Sequence, residues 1–169
     1  RDTMPETFAL LDRISAHLDA PRVDLLVIDA EFNAGISEVR GRRVLQFGAV
    51  LWEGLSRDER VAVLAHEVGH LVNGDPLRAS FVGRARRVLE RWHYLLAPDG
   101  TSEVIAEIIQ VPLTVAIEML DILVLRLTFI ESQRSEYLAD ALSAEAAGCG
   151  AAIAALRTVA LGELATPQS

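Results

Sequence analysis

The sequence has no lysine, a single cysteine and no excess of basic residues. All sixteen basic side chains are arginine, which we attribute to the codon bias of a GC-rich, bacterial genome. Cys149 stands alone between two glycines, which excludes an intramolecular disulfide framework and a cysteine zinc site. A formal net charge of -8 leaves no basic surplus to neutralise phosphates, so nucleic acid is not expected as a partner.

A long uncharged hydrophobic run is also missing. The most apolar stretch, 104–130, is too charged for an ordinary membrane span. Its polar residues recur every three or four positions, at Glu107, Gln110, Thr114, Glu118 and Asp121. This spacing predicts a helix with one polar stripe, which Pro112 should kink or split. Three arrangements stay open: a helix in the core with its stripe toward water, a contact between two copies of the chain, and a surface that faces a membrane.

A chain of 169 residues can bury one core, so we expect a single domain over 1–169. Because the sequence begins with Arg1 rather than Met, we also expect it to be part of a longer chain. Its first residues contain no apolar run preceded by basic residues, so no signal peptide is predicted.

Periodicity predicts an α+β fold that is mostly helical, with a small sheet. An amphipathic helix begins at Pro5, β-rich runs occupy 24–29 and 43–51, and Gly41 offers a turn. Helices are expected at 56–73, 78–96, 104–130 and 132–164, with a loop at 97–100 and a tail at 166–169. The run 43–51 should be an edge strand that borders the active-site cleft and can pair with an extended peptide. Asp75, before Pro76, should be the N-cap of the next helix.

The pattern His66-Glu67-x-x-His70 lies inside the helix predicted for 56–73. A spacing of four turns the second imidazole by only about 40° from the first, so both rings can bind one ion. Glu67, about 100° round the helix, can reach a water at the metal as a general base. This pattern is typical of a catalytic site with one Zn²⁺ per chain. Histidines that only pack or face solvent, and a metal site without catalysis, are the alternatives.

A catalytic zinc site usually has three protein ligands, so another donor is expected downstream. Glu136 and Asp140 lie four apart on a predicted helix and share a face. Glu136 could bind the metal while Asp140 accepts a hydrogen bond from the free ring nitrogen of a ligand histidine. By spacing alone such a pair more often faces solvent.

The segments 63–75 and 134–140 together resemble the HtpX and CAAX prenyl protease family of zinc peptidases, metallopeptidase family 48. Asn33-Ala34-Gly35 is similar to the Asn-Ala segment of that family. The resemblance implies a zincin-like domain of the gluzincin type. It further implies zinc held by His66, His70 and Glu136, with Glu67 as base and Asp140 orienting His66.

Four more side chains are candidates for contact with substrate or transition state: Arg134, Tyr137, Asn33 and Phe47. A structural ion pair for Arg134 and core packing for Tyr137 are their simpler interpretations. The resemblance implies a bacterial peptidase of membrane-associated protein quality control, at the cytoplasmic face of the membrane or in the cytoplasm. Its substrates would be peptides or unfolded proteins. A latent enzyme, or a non-catalytic zinc-containing domain that binds peptides, is the alternative.

Overall fold

A computed structural model describes residues 3–96 and 104–165. These residues form a mostly helical α+β arrangement with one small sheet. The elements in chain order are α1 Pro5–His17, β1 Leu25–Asp29, β2 Ala34–Val39, β3 Arg42–Gly48, α2 Ala49–Gly54, α3 Arg57–Asn73, α4 Asp75–Leu96, α5 Val104–Ala147 and α6 Cys149–Ala165. The loop predicted at 97–100 and the tail at 166–169 lie outside the described residues.

The chain divides into two compact units. The first unit comprises Arg1–Pro76 with Ser135–Ser169, and the second comprises Leu77–Arg134. All three strands belong to the first unit. The single domain expected over 1–169 stays a prediction.

The sheet of the first unit has the strand order β1-β3-β2, with β1 parallel and β2 antiparallel to β3. β2 and β3 are joined by the two residues Arg40 and Gly41, whose φ angles are 52° and 74°. Two positive φ angles define a tight hairpin turn whose twist matches that of the strands. The strand predicted over 24–29 and the turn at Gly41 are confirmed, whereas β2 was not predicted.

The strand predicted at 43–51 is not an edge strand. It is β3, which ends at Gly48 and has a neighbour on each side, so it cannot pair with a peptide. The edge strands are β1 and β2, and β2 is the one that contacts α3. The Gly48 amide donates to the Asn33 carbonyl, so the backbone groups of Asn33 face β3. Because successive residues of an antiparallel strand face opposite sides, the N–H and C=O groups of Ala34 and Ile36 point to the outer side of β2.

The main core lies between α1, the sheet and α3. It is built from apolar side chains, namely Phe8, Leu11, Ile14, Leu18, Val23, Leu45, Phe47, Leu64, Ala65, Val68 and Leu71. Asp24 ties the start of β1 to β3, because its carboxylate accepts hydrogen bonds from the backbone and the guanidinium of Arg43. The apolar side chains of α3 belong to the same core, so the opposite face of the helix is left for the site.

The helix α3 begins and ends as its sequence predicts. The Ser56 side chain accepts from the Glu59 amide, and the Glu59 carboxylate accepts from the Ser56 amide, which completes a capping box. Gly74 closes the helix in a left-handed conformation, and its amide donates to the carbonyls of His70 and Leu71.

The helix α5 is one continuous helix that runs through Pro112, so the predicted split at this proline is wrong. The chain breaks instead at Gly148, where φ is 86°, and α6 follows at once. Of the predicted polar stripe, Glu107 and Gln110 fall among residues whose side chains are not described.

In the second unit, polar groups join α4 to α5. The Arg86 guanidinium lies 3.4 Å from Asp121, and that of Arg78 lies 3.3 Å from Glu131. Large apolar side chains of α5, among them Leu120 and Phe129, are exposed. The stripe therefore meets α4 at Asp121. The expectation of a core helix with its polar stripe toward water is wrong, because α4 does not cover the apolar faces of α5.

Within the described ranges, no helix combines the length and the apolar character that crossing a membrane requires. Contact of 104–130 with a membrane or with a second copy of the chain stays a prediction.

We predict that Ser56→Ala lowers the free energy of unfolding by about 1 kcal/mol, the usual contribution of an N-cap hydroxyl.

Hydrogen bonds from Ser56 also hold the pKa of Glu59 below its ordinary value. The stabilisation by Glu59 is therefore present above the ordinary glutamate pKa and is lost as pH falls through the lowered one. Urea unfolding near neutral pH and in acid should show that the deficit of Glu59→Gln shrinks on acidification. Glu53→Gln, an exposed position, is the control; a deficit independent of pH would contradict the prediction.

Candidate metal centre

The site is built where α3 packs against the end of α5 that belongs to the first unit. At one end of this contact, the Asn73 amide lies 3.4 Å from the Ser135 carbonyl, and at the other end the Ser143 hydroxyl donates to the Ala62 carbonyl at 2.8 Å. The partner positions run in opposite directions along the two helices, so the helices are antiparallel. The side of α3 that carries the paired histidines therefore faces α5.

Gly69 marks the closest approach of the two helices. A Cβ added at Gly69 would lie 3.1 Å from Ala139 Cα and 3.3 Å from a methyl of Leu142. Such a distance is tighter than ordinary van der Waals contact. The missing side chain thus lets α5 approach closely enough for Glu136 and Asp140 to meet the histidines.

Donor atoms of three residues converge at this contact. His66 Nε2 lies 3.3 Å from His70 Nε2 and 3.3 Å from Glu136 Oε2, and His70 Nε2 lies 3.9 Å from Glu136 Oε1. One ligand atom from each residue lies within 4.8 Å of the others, so the three residues could hold a metal ion.

The opposite nitrogen of each ring is held by a carboxylate. His66 Nδ1 lies 3.0 Å from Asp140 Oδ1, and His70 Nδ1 lies 2.8 Å from Asp75 Oδ2. Because an ionised carboxylate only accepts hydrogen bonds, each Nδ1 is the donor to the carboxylate beside it. This leaves Nε2 of each ring as the nitrogen that can bind a metal ion.

The distances fit zinc. Zinc bonds to nitrogen or oxygen of about 2.0–2.1 Å in a tetrahedron imply donor separations of about 3.3–3.4 Å. The two separations from His66 Nε2, to His70 Nε2 and to Glu136 Oε2, both equal 3.3 Å. The other oxygen of the exposed Glu136 lies 3.9 Å from His70 Nε2. Two imidazoles and one carboxylate also form a ligand set of catalytic zinc sites, which leaves the fourth position for water.

Asp75 is a part of the site that sequence reasoning missed. It was predicted only as an N-cap, and it is the first residue of α4. Its carboxylate accepts a hydrogen bond from the Ser135 hydroxyl as well as from His70. The available signal was Gly74, because a left-handed residue that ends a helix turns the next side chain back toward the last helical turn.

Glu67 lies next to the donor set and is only 8% exposed. Burial raises the pKa of Glu67 above its ordinary value, and nearby Glu136 adds to this. His66, His70 and the outward backbone amide of Ile36 in β2 act in the opposite direction, because they favour the charged carboxylate. A carboxyl group whose pKa is raised toward neutral pH is suited to take up a proton and to return it.

The remaining candidates differ in their surroundings. Asn33 lines a pocket beside Glu67. Phe47 is only 3% exposed and stacks on Trp52 at 4.7 Å, which corrects the prediction of a substrate contact, since the ring belongs to the core. Tyr137 is 72% exposed, so core packing is wrong for it. Arg134 is exposed, and its role stays a prediction.

Comparison with known proteins identifies the family of the chain. The model of peptidase family M48 matches residues 7–166, and the chain belongs to this family. The chain is similar to Protease HtpX of Tolumonas auensis, with 31% identity over 134 residues that cover 73% of this chain and 46% of the relative. It thus spans about half the length of that relative. No solved structure gives a significant match.

We predict that Asp75→Asn weakens zinc binding by about 10–100-fold, because the amide no longer fixes the tautomer of His70. Asp140→Asn should have a similar effect through His66. Competition with a chromogenic chelator measures both, and Asp58→Asn, an exposed change on α3, is the control. If Asp75→Asn bound zinc as tightly as the control, Asp75 would serve only as the first residue of α4.

We also predict a graded response at Gly69. Gly69→Ala should change the free energy of unfolding little, because about 1 kcal/mol of helix propensity offsets the tight contact with Ala139. Gly69→Val should push α5 away and abolish tight zinc binding. Zinc titration with thermal unfolding measures this. Gly83→Val is the control, since the nearest atom to an added Cβ there is 3.9 Å away. Tight binding by Gly69→Val would contradict the assigned helix contact.

Proposed function

We propose that this protein is a zinc-dependent endopeptidase of the gluzincin type, with His66, His70 and Glu136 as metal ligands and Glu67 as general base. One observation carries the proposal. The two Nε2 atoms and a carboxylate oxygen converge beside a buried glutamate, which is the donor set that catalytic zinc requires. Membership of peptidase family M48 supports the same reaction class.

Zinc bound in such a set lowers the pKa of water and polarises a carbonyl group. Glu67 takes one proton from the attacking water, whose oxygen bonds to the carbonyl carbon of the scissile peptide. Glu67 then gives this proton to the leaving nitrogen as the carbon–nitrogen bond breaks. The products are a new carboxyl group and a new amino terminus. Asp140 and Asp75 act earlier, because they hold the two imidazoles in the tautomer that binds metal.

The substrate lies in extended form along the outer side of β2. β2 thus has the peptide-pairing role that was predicted for the strand at 43–51. β2 is an edge strand, and the outward polar groups of Ala34 precede those of Ile36, whose amide acts on Glu67. A peptide that pairs near Ala34 therefore passes beside Glu67. The edge strand, the α3 site and a third ligand from α5 together support the zincin-like arrangement. A role in protein quality control at the cytoplasmic face of a membrane stays a prediction.

The proposal predicts that zinc-loaded wild-type protein cleaves casein, whereas Glu67→Gln with equal zinc content loses activity by about 10²–10⁴-fold. Glu136→Ala should lose both zinc and activity, because a ligand is removed. Peptide release and metal content are measured on the same samples. Full activity in Glu67→Gln would refute Glu67 as base. If wild type and Glu67→Gln bound zinc equally and neither cleaved casein, the result would favour the latent or peptide-binding domain.

A further inference from the structure

A groove of about 960 Å³ lies in the first unit between α1, α2 and α3. Nine residues separate Arg57, which lines it, from His66, so the two side chains leave α3 on opposite sides, about two and a half turns apart. The groove is therefore separate from the metal centre. Its charged lining residues are Glu6, Arg13, Arg57, Asp58 and Arg60.

The apolar side chains of the groove are only half-buried. Leu10, Trp52 and Val61 pack against the main core from its edge, and each also lines the groove. They come from α1, α2 and α3 respectively, so the apolar surface is held by three elements of the same core. This surface is still partly open to water, and its burial under a ligand would be favourable.

The Arg60 guanidinium is held in place by Trp52. Its Nε donates to the Trp52 carbonyl at 2.9 Å, and its central carbon lies 4.9 Å from the centroid of the indole ring. Phe47 stacks on the same ring at 4.7 Å, which ties Trp52 to the core. A guanidinium held over an aromatic ring keeps its remaining N–H groups oriented, and their fork matches the geometry of a carboxylate.

The arginines of the groove have no anionic partner within the described part of the chain. Among residues 3–96 and 104–165, no carboxylate forms an ion pair with Arg13, Arg57 or Arg60. Carboxylates are not scarce, since the chain has 24 acidic and 16 basic residues. A half-buried cation is stabilised by an anion beside it, and another molecule can supply this anion.

We propose that the groove binds an acidic peptide segment of another protein, in which a glutamate or aspartate stands close to an apolar residue. The carboxylate binds the fork of Arg60, with Arg57 and Arg13 nearby, and the apolar side chain covers Leu10 and Val61. The proposed peptidase function is not required for this binding, because none of these residues belongs to the metal donor set.

Charge and volume favour a peptide over other anions. With three arginines and two acidic residues, the groove has a charge of +1, whereas the chain carries -8. Nucleic acids and anionic membranes present many negative charges at once, which a charge of +1 does not match. Inorganic phosphate would leave the apolar surface uncovered. Ligand sites span about 300–1,000 Å³, so a groove of about 960 Å³ has room for several peptide residues.

The test is fluorescence anisotropy with a fluorescein-labelled peptide, Gly-Leu-Glu-Leu-Glu-Gly, and Glu67→Gln protein, in which cleavage plays no part. Replacement of both peptide glutamates by glutamine should weaken binding by at least about tenfold, because hydrogen bonds between charged groups are lost. Replacement of both leucines by serine should weaken it by at least about fivefold, because less apolar surface is buried.

Variants of the groove locate the binding. Arg60→Gln should weaken it by at least about tenfold. Arg57→Gln, at an exposed position that is safe for folding, should weaken it by about two- to fivefold. Glu6→Gln should strengthen it, because a like charge is removed. Arg157→Gln, on the exposed side of α6, makes the same change in net charge outside the groove and should bind as the parent protein does.

Equal affinity of Arg57→Gln, Arg157→Gln and folded, zinc-loaded Arg60→Gln would overturn the proposal. Binding of the serine peptide as tightly as the leucine peptide, with full displacement by equimolar inorganic phosphate, would reduce the groove to an anion site and overturn the peptide assignment. Weaker binding in the two groove variants alone supports the proposal. This result would stand even if wild-type protein cleaved nothing, so it is distinct from the outcome for the peptidase function.

Discussion

The close contact of α3 with α5 at Gly69 and Ala139 is the constraint on which the metal centre depends. His66 and His70 share one face of α3 by helical geometry alone, but no local rule brings a third donor to them. The small pair Gly69 and Ala139 lets the helices approach, and Glu136 then arrives opposite the imidazoles. Close packing at Gly69 therefore determines how near the last ligand can come to the imidazoles.

Electrostatics then determine the state of these donors. Asp140 and Asp75 hold the outer nitrogens of the two rings, so the inner nitrogens are left as acceptors facing Glu136. Each carboxylate comes from a different helix, α5 and α4, so the orientation of the rings depends on tertiary structure rather than on α3. The buried Glu67 completes the arrangement without entering the donor set, because it lies round the helix toward β2.

The sequence was informative where structure is local. The capping box, the end of α3 at Gly74 and the pairing of His66 with His70 follow from spacing, whereas Glu136 was identified chiefly by family resemblance. β2 was missed because its Gly, Ser and Glu residues have low strand propensity, and it forms by pairing with β3. The contacts of Asp75 and the groove between α1, α2 and α3 arise between segments far apart in the chain, which periodicity does not report.

Asp75 and Ser135 lie at the two ends of the excursion formed by residues 77–134, and they are hydrogen-bonded to each other beside His70. The chain therefore leaves the metal centre and returns to it at nearly the same point. The entropic cost of closing such an excursion grows only with the logarithm of its length, by about 0.6 kcal/mol for each doubling. The intervening segment can consequently lengthen, shorten or be exchanged for another at little cost to the assembly of the ligands, provided that its two ends still meet.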